Sequence, residues 1–150
     1  MDIIVKNLCK TYDRNQVLDH FSCTFREKKM TCIMGKSGIG KSTLLLQVCR
    51  NLADQVSVLY ISGEESLQQI KLRAVRIGEF SDAMTLLCET NLDDIESIVL
   101  KKKPQAVIID SIQTMYQENV SSAPGSVSQV REATGVLMRL AKENNITIFI

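Results

Sequence analysis

Residues 30–52 read MTCIMGKSGIGKSTLLLQVCRNL. Met30 to Met34 is a short apolar run ending at Gly35, and the eight residues Gly35-Lys36-Ser37-Gly38-Ile39-Gly40-Lys41-Ser42 fit G-x-x-x-x-G-K-[ST] in full. Leu44, Leu45, Val48 and Leu52 then recur at the spacing of a helix packed on a sheet. Strand, glycine turn and helix in that order build an anion cradle. The glycines let backbone N–H groups curl around an anion with no Cβ in the way, and the helix N-terminus adds its partial positive charge. In such a cradle the candidate contacts run from Gly35 to Thr43; Lys41 reaches the β- and γ-phosphates and Ser42 offers a hydroxyl to Mg²⁺. A glycine turn that only caps a helix would need neither the whole motif nor the apolar strand before it.

A phosphate cradle of this kind works with an acidic residue that holds the metal. Val107-Ile108-Ile109-Asp110 supplies one, an apolar strand ending in a carboxylate at the C-terminal edge of a sheet. The plainer alternative is a cap after a buried strand. Hydrolysis also needs a group that orients or deprotonates water, and Tyr60-Ile61-Ser62-Gly63-Glu64-Glu65 places two carboxylates just past another strand on the same edge. Either carboxylate alternatively begins the next helix, where negative charge is favoured.

Around these motifs the chain alternates. The spacing predicts strands over 56–61, 84–87, 106–109 and 146–150, and helices over 41–51, 65–77, 92–100 and 126–144. Near-continuous apolar strands between helices imply a parallel sheet covered on both faces. Upstream, Ile3 to Leu8 and Val17 to Phe25 are β-prone and flank a polar segment, Lys10 to Gln16, which predicts a hairpin. Lys101-Lys102-Lys103 suits the negative end of the preceding helix better than an anion patch.

Composition bounds the function. The 150 residues are 45% hydrophobic and 23% charged, with a net charge of +1, which describes one globular domain and gives no chain-wide electrostatic case for nucleic acid or anionic lipid. Five cysteines (Cys9, Cys23, Cys32, Cys49, Cys88), none spaced C-x-x-C, and a single histidine, His20, argue against a zinc site or disulfide framework; reduced thiols in a cytoplasmic protein are expected. No apolar run approaches a membrane span and no secretory signal is visible, so no membrane partner is expected.

Two resemblances add to this reading. YISGEESLQQIKLRA, LLCETNLDDI, AVIIDSIQTMY and SSAPGSVSQVREATGVLMRLAKENNITIFI resemble the RecA-like ATPase core of the RadA (Sms) DNA-repair proteins. That family implies an ATP-driven motor on single-stranded DNA. It implies Glu64 as catalytic glutamate with Glu65 its neighbour, Asp110 as the magnesium-side acid, and Gln113 where a γ-phosphate sensor can sit. IIVKNLCKTYDRNQVLDHFSCTF, with MTCIMGKSGIGKSTLL, is similar instead to the start of an ABC transporter ATPase domain. There an aromatic residue stacks on adenine; Tyr12 stands 23 positions before Gly35, and Val17 sits where a small apolar residue touches the base. The LSGGQ signature, the acid after the metal aspartate and the late histidine of that family are absent, as is the zinc finger of the RadA pattern. Lys36 departs from both patterns and is read as a solvent-facing lysine.

The two resemblances meet inside GIGKSTLLLQ, so a fusion at this helix, an engineered or recombined chimera, is the simplest account. The expected fold is an α/β RecA-like P-loop NTPase three-layer sandwich, with a mainly parallel sheet ordered from the Met30 strand through the Ile146, Ala106 and Val56 strands to the Met84 strand, and an N-terminal antiparallel hairpin. It is read as one domain: an ABC-like hairpin at 1–28, the phosphate-loop unit at 29–55 and a RadA-like core at 56–150. The expected function is binding of ATP and ADP with Mg²⁺. Hydrolysis is expected to be weak at most, because no arginine finger is identifiable and such a finger is worth roughly 10³–10⁵ in rate. The rivals are a structural hybrid in which nucleotide binding is incidental, and a DNA-repair ATPase fragment on single-stranded DNA. The charge balance weighs against DNA, and a monomer is expected.

Overall fold

Strands that are apolar on both faces are stable only between two covering layers. In the computed structural model, which describes residues 3–12, 15–26 and 40–150, the later strands are placed in that way. The chain opens with β1 (Ile3–Tyr12) and β2 (Asn15–Phe25), an antiparallel pair. It continues through α1 (Lys41–Ala53), β3 (Val58–Ser62), α2 (Leu67–Ile77), β4 (Met84–Cys88), α3 (Leu92–Lys102), β5 (Ala106–Asp110), a 3-10 turn (Ile112–Thr114), α4 (Val127–Asn144) and β6 (Thr147–Phe149).

The four later strands form a parallel sheet in the order β4-β3-β5-β6, as expected for these four; the Met30 strand lies outside the described residues. Alternate side chains divide between two cores. Val58, Tyr60, Ala106, Ile108 and Phe149 pack with α1 and Ile70 of α2. Leu59, Ile61, Val107, Ile109 and Ile148 pack with α3 and α4. The hairpin joins the α1 side, where the Phe25 ring meets Phe149 edge-on, centroids 5.2 Å apart. The result is the expected α/β RecA-like P-loop sandwich with its N-terminal hairpin.

Several boundaries differ from the sequence reading. The hairpin strands absorb most of the expected turn, pairing Tyr12 with Asn15. Helix α2 begins at Leu67, because Ser66 caps it: the Ser66 hydroxyl accepts from the Gln69 N–H while the Gln69 side chain accepts from the Ser66 N–H. That is a capping box written S-x-x-Q, a signal legible at residues 66–69. Helix α3 runs on to Lys102, with Lys103 in the left-handed conformation (φ 50°) closing it and all three lysines exposed. Strand β3 starts two residues later than expected, because the Val56 N–H is spent on the Leu52 carbonyl at the end of α1. Likewise β6 starts at Thr147, the Ile146 N–H being bound to the Ala141 carbonyl. Among the described residues no helix is long and apolar enough to cross a membrane.

Candidate functional site

Strands β3 and β5 lie side by side in register, Ser62 opposite Asp110, so the loops that follow them leave the sheet together. Asp110 is the last residue of β5 rather than a stop after it, and shares its face with Ile108 and Tyr60. It is 9% exposed, and the hydroxyl of fully buried Tyr60 donates to its Oδ2. Burial, with the Asp110 charge adding to it, pushes the Tyr60 phenol far above its ordinary value, so the hydroxyl keeps its proton and remains a donor. Cys49 of α1 faces the same carboxylate; burial raises its thiol strongly, which makes it inert as a nucleophile.

The two candidate carboxylates diverge. The Ser111 hydroxyl donates to Oε1 of Glu64 at 2.5 Å, which holds the exposed Glu64 carboxylate over the end of β5. Glu65 points the other way and pairs with Arg73 of α2 at 2.6 Å. Its N–H donates to Ser62 Oγ at 3.0 Å. Neither residue begins α2, and the two do not act as a pair at one place: the Ser62–Glu65 turn puts consecutive side chains on opposite sides. Gly63 sits between them with its N–H on the Asp110 carbonyl at 3.0 Å. A Cβ there would lie 2.0 Å from Thr114 Oγ1, itself bonded to the Ser111 carbonyl at 2.8 Å, so only glycine lets the two loops approach. The Asp110–Ser111 peptide is cis. Gln113 lies exposed in the 3-10 turn that follows.

At the phosphate end, Gly40 takes the left-handed conformation (φ 90°) and opens α1 with no side-chain cap and no acid in the first turn. Lys41, Ser42 and Thr43 begin the helix there, at the positive end of its dipole, which favours an anion. Gly35, Lys36, Ser37, Gly38 and Ile39 lie outside the described residues, as do the side chains of Tyr12 and Val17. A hydroxyl from Ser42 and the Asp110 carboxylate are hard oxygen donors, the chemistry that fits Mg²⁺.

One cluster escaped the sequence reading. Cys9, Asp19 and His20 bring ligand atoms within 4.8 Å of one another on the hairpin. Strand pairing joins residues whose spacing along the chain resembles no metal motif. All three are exposed, and His20 Nδ1 is already engaged with Asp19 Oδ1 at 2.7 Å. A second missed residue is Gln129 on α4, 2% exposed, whose side chain binds the carbonyls of Gln117, Val120 and Ser122 and the Gln117 N–H. It ties down the loop before α4. Ser126 caps α4 through the Gln129 N–H, a second S-x-x-Q start, but here the glutamine side chain is diverted to the loop.

A parallel sheet with a glycine-rich phosphate motif opening α1 and an acid ending β5 defines a P-loop ATPase domain, and the chain belongs to the AAA domain family, whose pattern it matches over residues 23–150. Among particular proteins, the DNA repair protein RadA of Halalkalibacterium halodurans is 52% identical over 122 residues, 81% of this chain and 27% of that protein. RadA of Streptococcus pneumoniae is 54% identical over 121 residues, covering 81% and 29%. RadA of Bacillus subtilis is 53% identical over 122 residues, 81% and 27%. The chain thus spans somewhat more than a quarter of the length of these relatives. Among solved structures, the flagellar accessory protein FlaH from Methanocaldococcus jannaschii superposes with a TM-score of 0.55 at 16% identity, covering 83% of this chain and 61% of that one, a likeness of fold.

A match of 122 residues leaves 28 of this chain outside it, so residues 29–122 fall within the RadA likeness wherever it begins. The likeness therefore takes in the phosphate loop and does not start at residue 46. A join inside α1 is not required by these matches, and an ABC-like origin has only the hairpin left to rest on.

Proposed function

We propose that this domain binds ATP and ADP with Mg²⁺ and hydrolyses ATP weakly at most. The observation that carries the reading is a complete phosphate motif that ends where α1 begins, in a fold where buried Asp110 ends β5 and exposed Glu64 follows the adjacent β3. Gly35 to Thr43 wrap the phosphates, Lys41 supplies charge to them, and Ser42 with Asp110 holds the ion. Mg²⁺, when bound, neutralises charge on the phosphate oxygens. Glu64 is the residue placed to take a proton from water, with Ser111 holding its carboxylate; Glu65, paired with Arg73, supports the turn. Gln113 is the candidate γ-phosphate sensor. Slow turnover is expected because no arginine finger is identifiable, and Arg73 is paired with Glu65.

Titration of a fluorescent ATP analogue, with and without Mg²⁺, tests this reading. Saturable binding that tightens with the ion is expected; no binding under either condition overturns it.

The relatives' title as DNA repair proteins favours a second reading, in which this domain is the ATPase segment of a repair protein acting on single-stranded DNA. We infer that the chain by itself engages single-stranded DNA weakly at about 150 mM salt, because its net charge of +1 offers little counterion release. Residues 1–28, ahead of the phosphate-loop unit (29–55) and the core (56–150), remain the ABC-like segment of this proposal. Tyr12 is its adenine-stacking candidate and Val17 its apolar contact to the base. A chimera is the account this reading carries for the hairpin.

A further inference from the structure

Asp110 is a buried carboxylate in an apolar setting, and its surroundings decide which way its oxygens face. On its sheet face stand Ile108 and Ala106 of its own strand, Tyr60 and Val58 of β3, and Cys49 with its leucine neighbours on α1. Tyr60, fifty residues away in sequence, donates a hydrogen bond to the carboxylate's Oδ2. Tyr60 is 1% exposed, so its ring is held by packing and its hydroxyl has a fixed position. A buried hydroxyl must find an acceptor, and Asp110 Oδ2 is that acceptor. With Oδ2 engaged by a donor that packing holds still, the Asp110 carboxylate is held in one orientation.

We propose that Tyr60 is a positioning residue for the divalent cation: its hydroxyl holds Asp110 in the orientation in which one carboxylate oxygen faces the ion bound with the nucleotide. The inference rests on the Mg-nucleotide reading above and goes beyond it. None of the motifs assigns a role to Tyr60, which in sequence is an apolar-strand residue. Partners that orient metal-binding carboxylates usually matter to affinity by a factor of roughly 10–100.

The test uses the full chain loaded with ADP. Mn²⁺ is titrated in and free ion is read by electron paramagnetic resonance, while ADP affinity is measured separately in EDTA. Tyr60→Phe keeps the ring that packs against the core and removes one oxygen, so a cooperative thermal melt is retained. Mn²⁺ affinity is expected to fall about ten-fold or more, with ADP affinity in EDTA unchanged. A merely structural role would lower both affinities together with the melting temperature, and that outcome overturns the proposal. Asp110→Asn separates the two levels. If it weakens Mn²⁺ binding while Tyr60→Phe binds as the parent does, the positioning role is wrong and the nucleotide reading stands. If neither variant changes Mn²⁺ binding, Asp110 is not at the ion: the positioning proposal falls, and with it the assignment of Asp110 as an ion ligand, while nucleotide binding stands.

Discussion

The hairpin and the four-stranded sheet are both β structure, yet they are held by different physics. In the sheet, each residue of β3 and β5 is buried on one face or the other, and the ladders run without interruption from Val58–Ala106 to Ser62–Asp110. Slipping such a strand by one residue would move every side chain into the wrong core. The hairpin has no such constraint. Its register shifts three times, Asn7 and His20 take positive φ, and Ile4 is 58% exposed. Side chains repair the ladder where it breaks: Ser22 Oγ accepts from the Asn7 N–H and Cys9 Sγ from the His20 N–H. The hairpin's hold on the rest is a few half-buried residues and the edge contact of Phe25 on Phe149. The sheet edge holds side chains in fixed places, which the hairpin does far less.

That contrast predicts a ranking of effects. Lys41→Ala, at the sheet edge, should weaken ATP binding by more than about 100-fold with the fold intact, since two or more charge-assisted contacts at roughly 1.5–3 kcal/mol each are lost. Equilibrium binding and circular dichroism check it, and parent-like affinity would break the comparison at its root. Next, Glu64→Gln should keep ATP affinity and lower whatever turnover exists by about 10²–10⁴. Glu65→Gln should change turnover far less, since its carboxylate faces Arg73; the reverse order of these two would move the catalytic role by one residue.

Gly63→Ala should destabilise the domain by about 1–3 kcal/mol in urea unfolding, because its Cβ would strike the Thr114 side chain and force apart the loops that carry Glu64 and Ser111. Thr114→Ala in the same chain should recover part of that loss. The smallest effect belongs to the hairpin. Tyr12→Ala should weaken ATP roughly ten-fold, the equivalent of about 1.4 kcal/mol of base stacking, with Tyr12→Trp near the parent and triphosphate affinity unmoved. A loss as large as that of Lys41→Ala would place the hairpin inside the site. No change would reduce the hairpin to a cover over the α1 side of the sheet.

Much of this molecule was readable without coordinates because its signals are local or periodic. The phosphate motif is contiguous. The apolar runs that became β3, β5 and β6 match the observed strands to within two residues at each end, where a single backbone hydrogen bond, such as Val56 to Leu52, decides between helix end and strand start. The capping box at Ser66 and the S-x-x-Q start at Ser126 are equally local signals.

By itself the sequence determined the class of fold, the alternation of parallel strands with helices and the place where a phosphate motif opens a helix, because burial on two faces and a glycine-lysine-serine helix start each leave a pattern along the chain; the strand order came from the resemblance to RecA-like cores. Only the tertiary structure decided which of two adjacent glutamates faces the end of β5, that Tyr60 rather than a neighbour holds Asp110, and that Cys9, Asp19 and His20 meet on the hairpin. The physical reason is that a turn's handedness, and the level at which two parallel strands end, bring together side chains up to fifty positions apart. No residue type or spacing along the chain records that meeting.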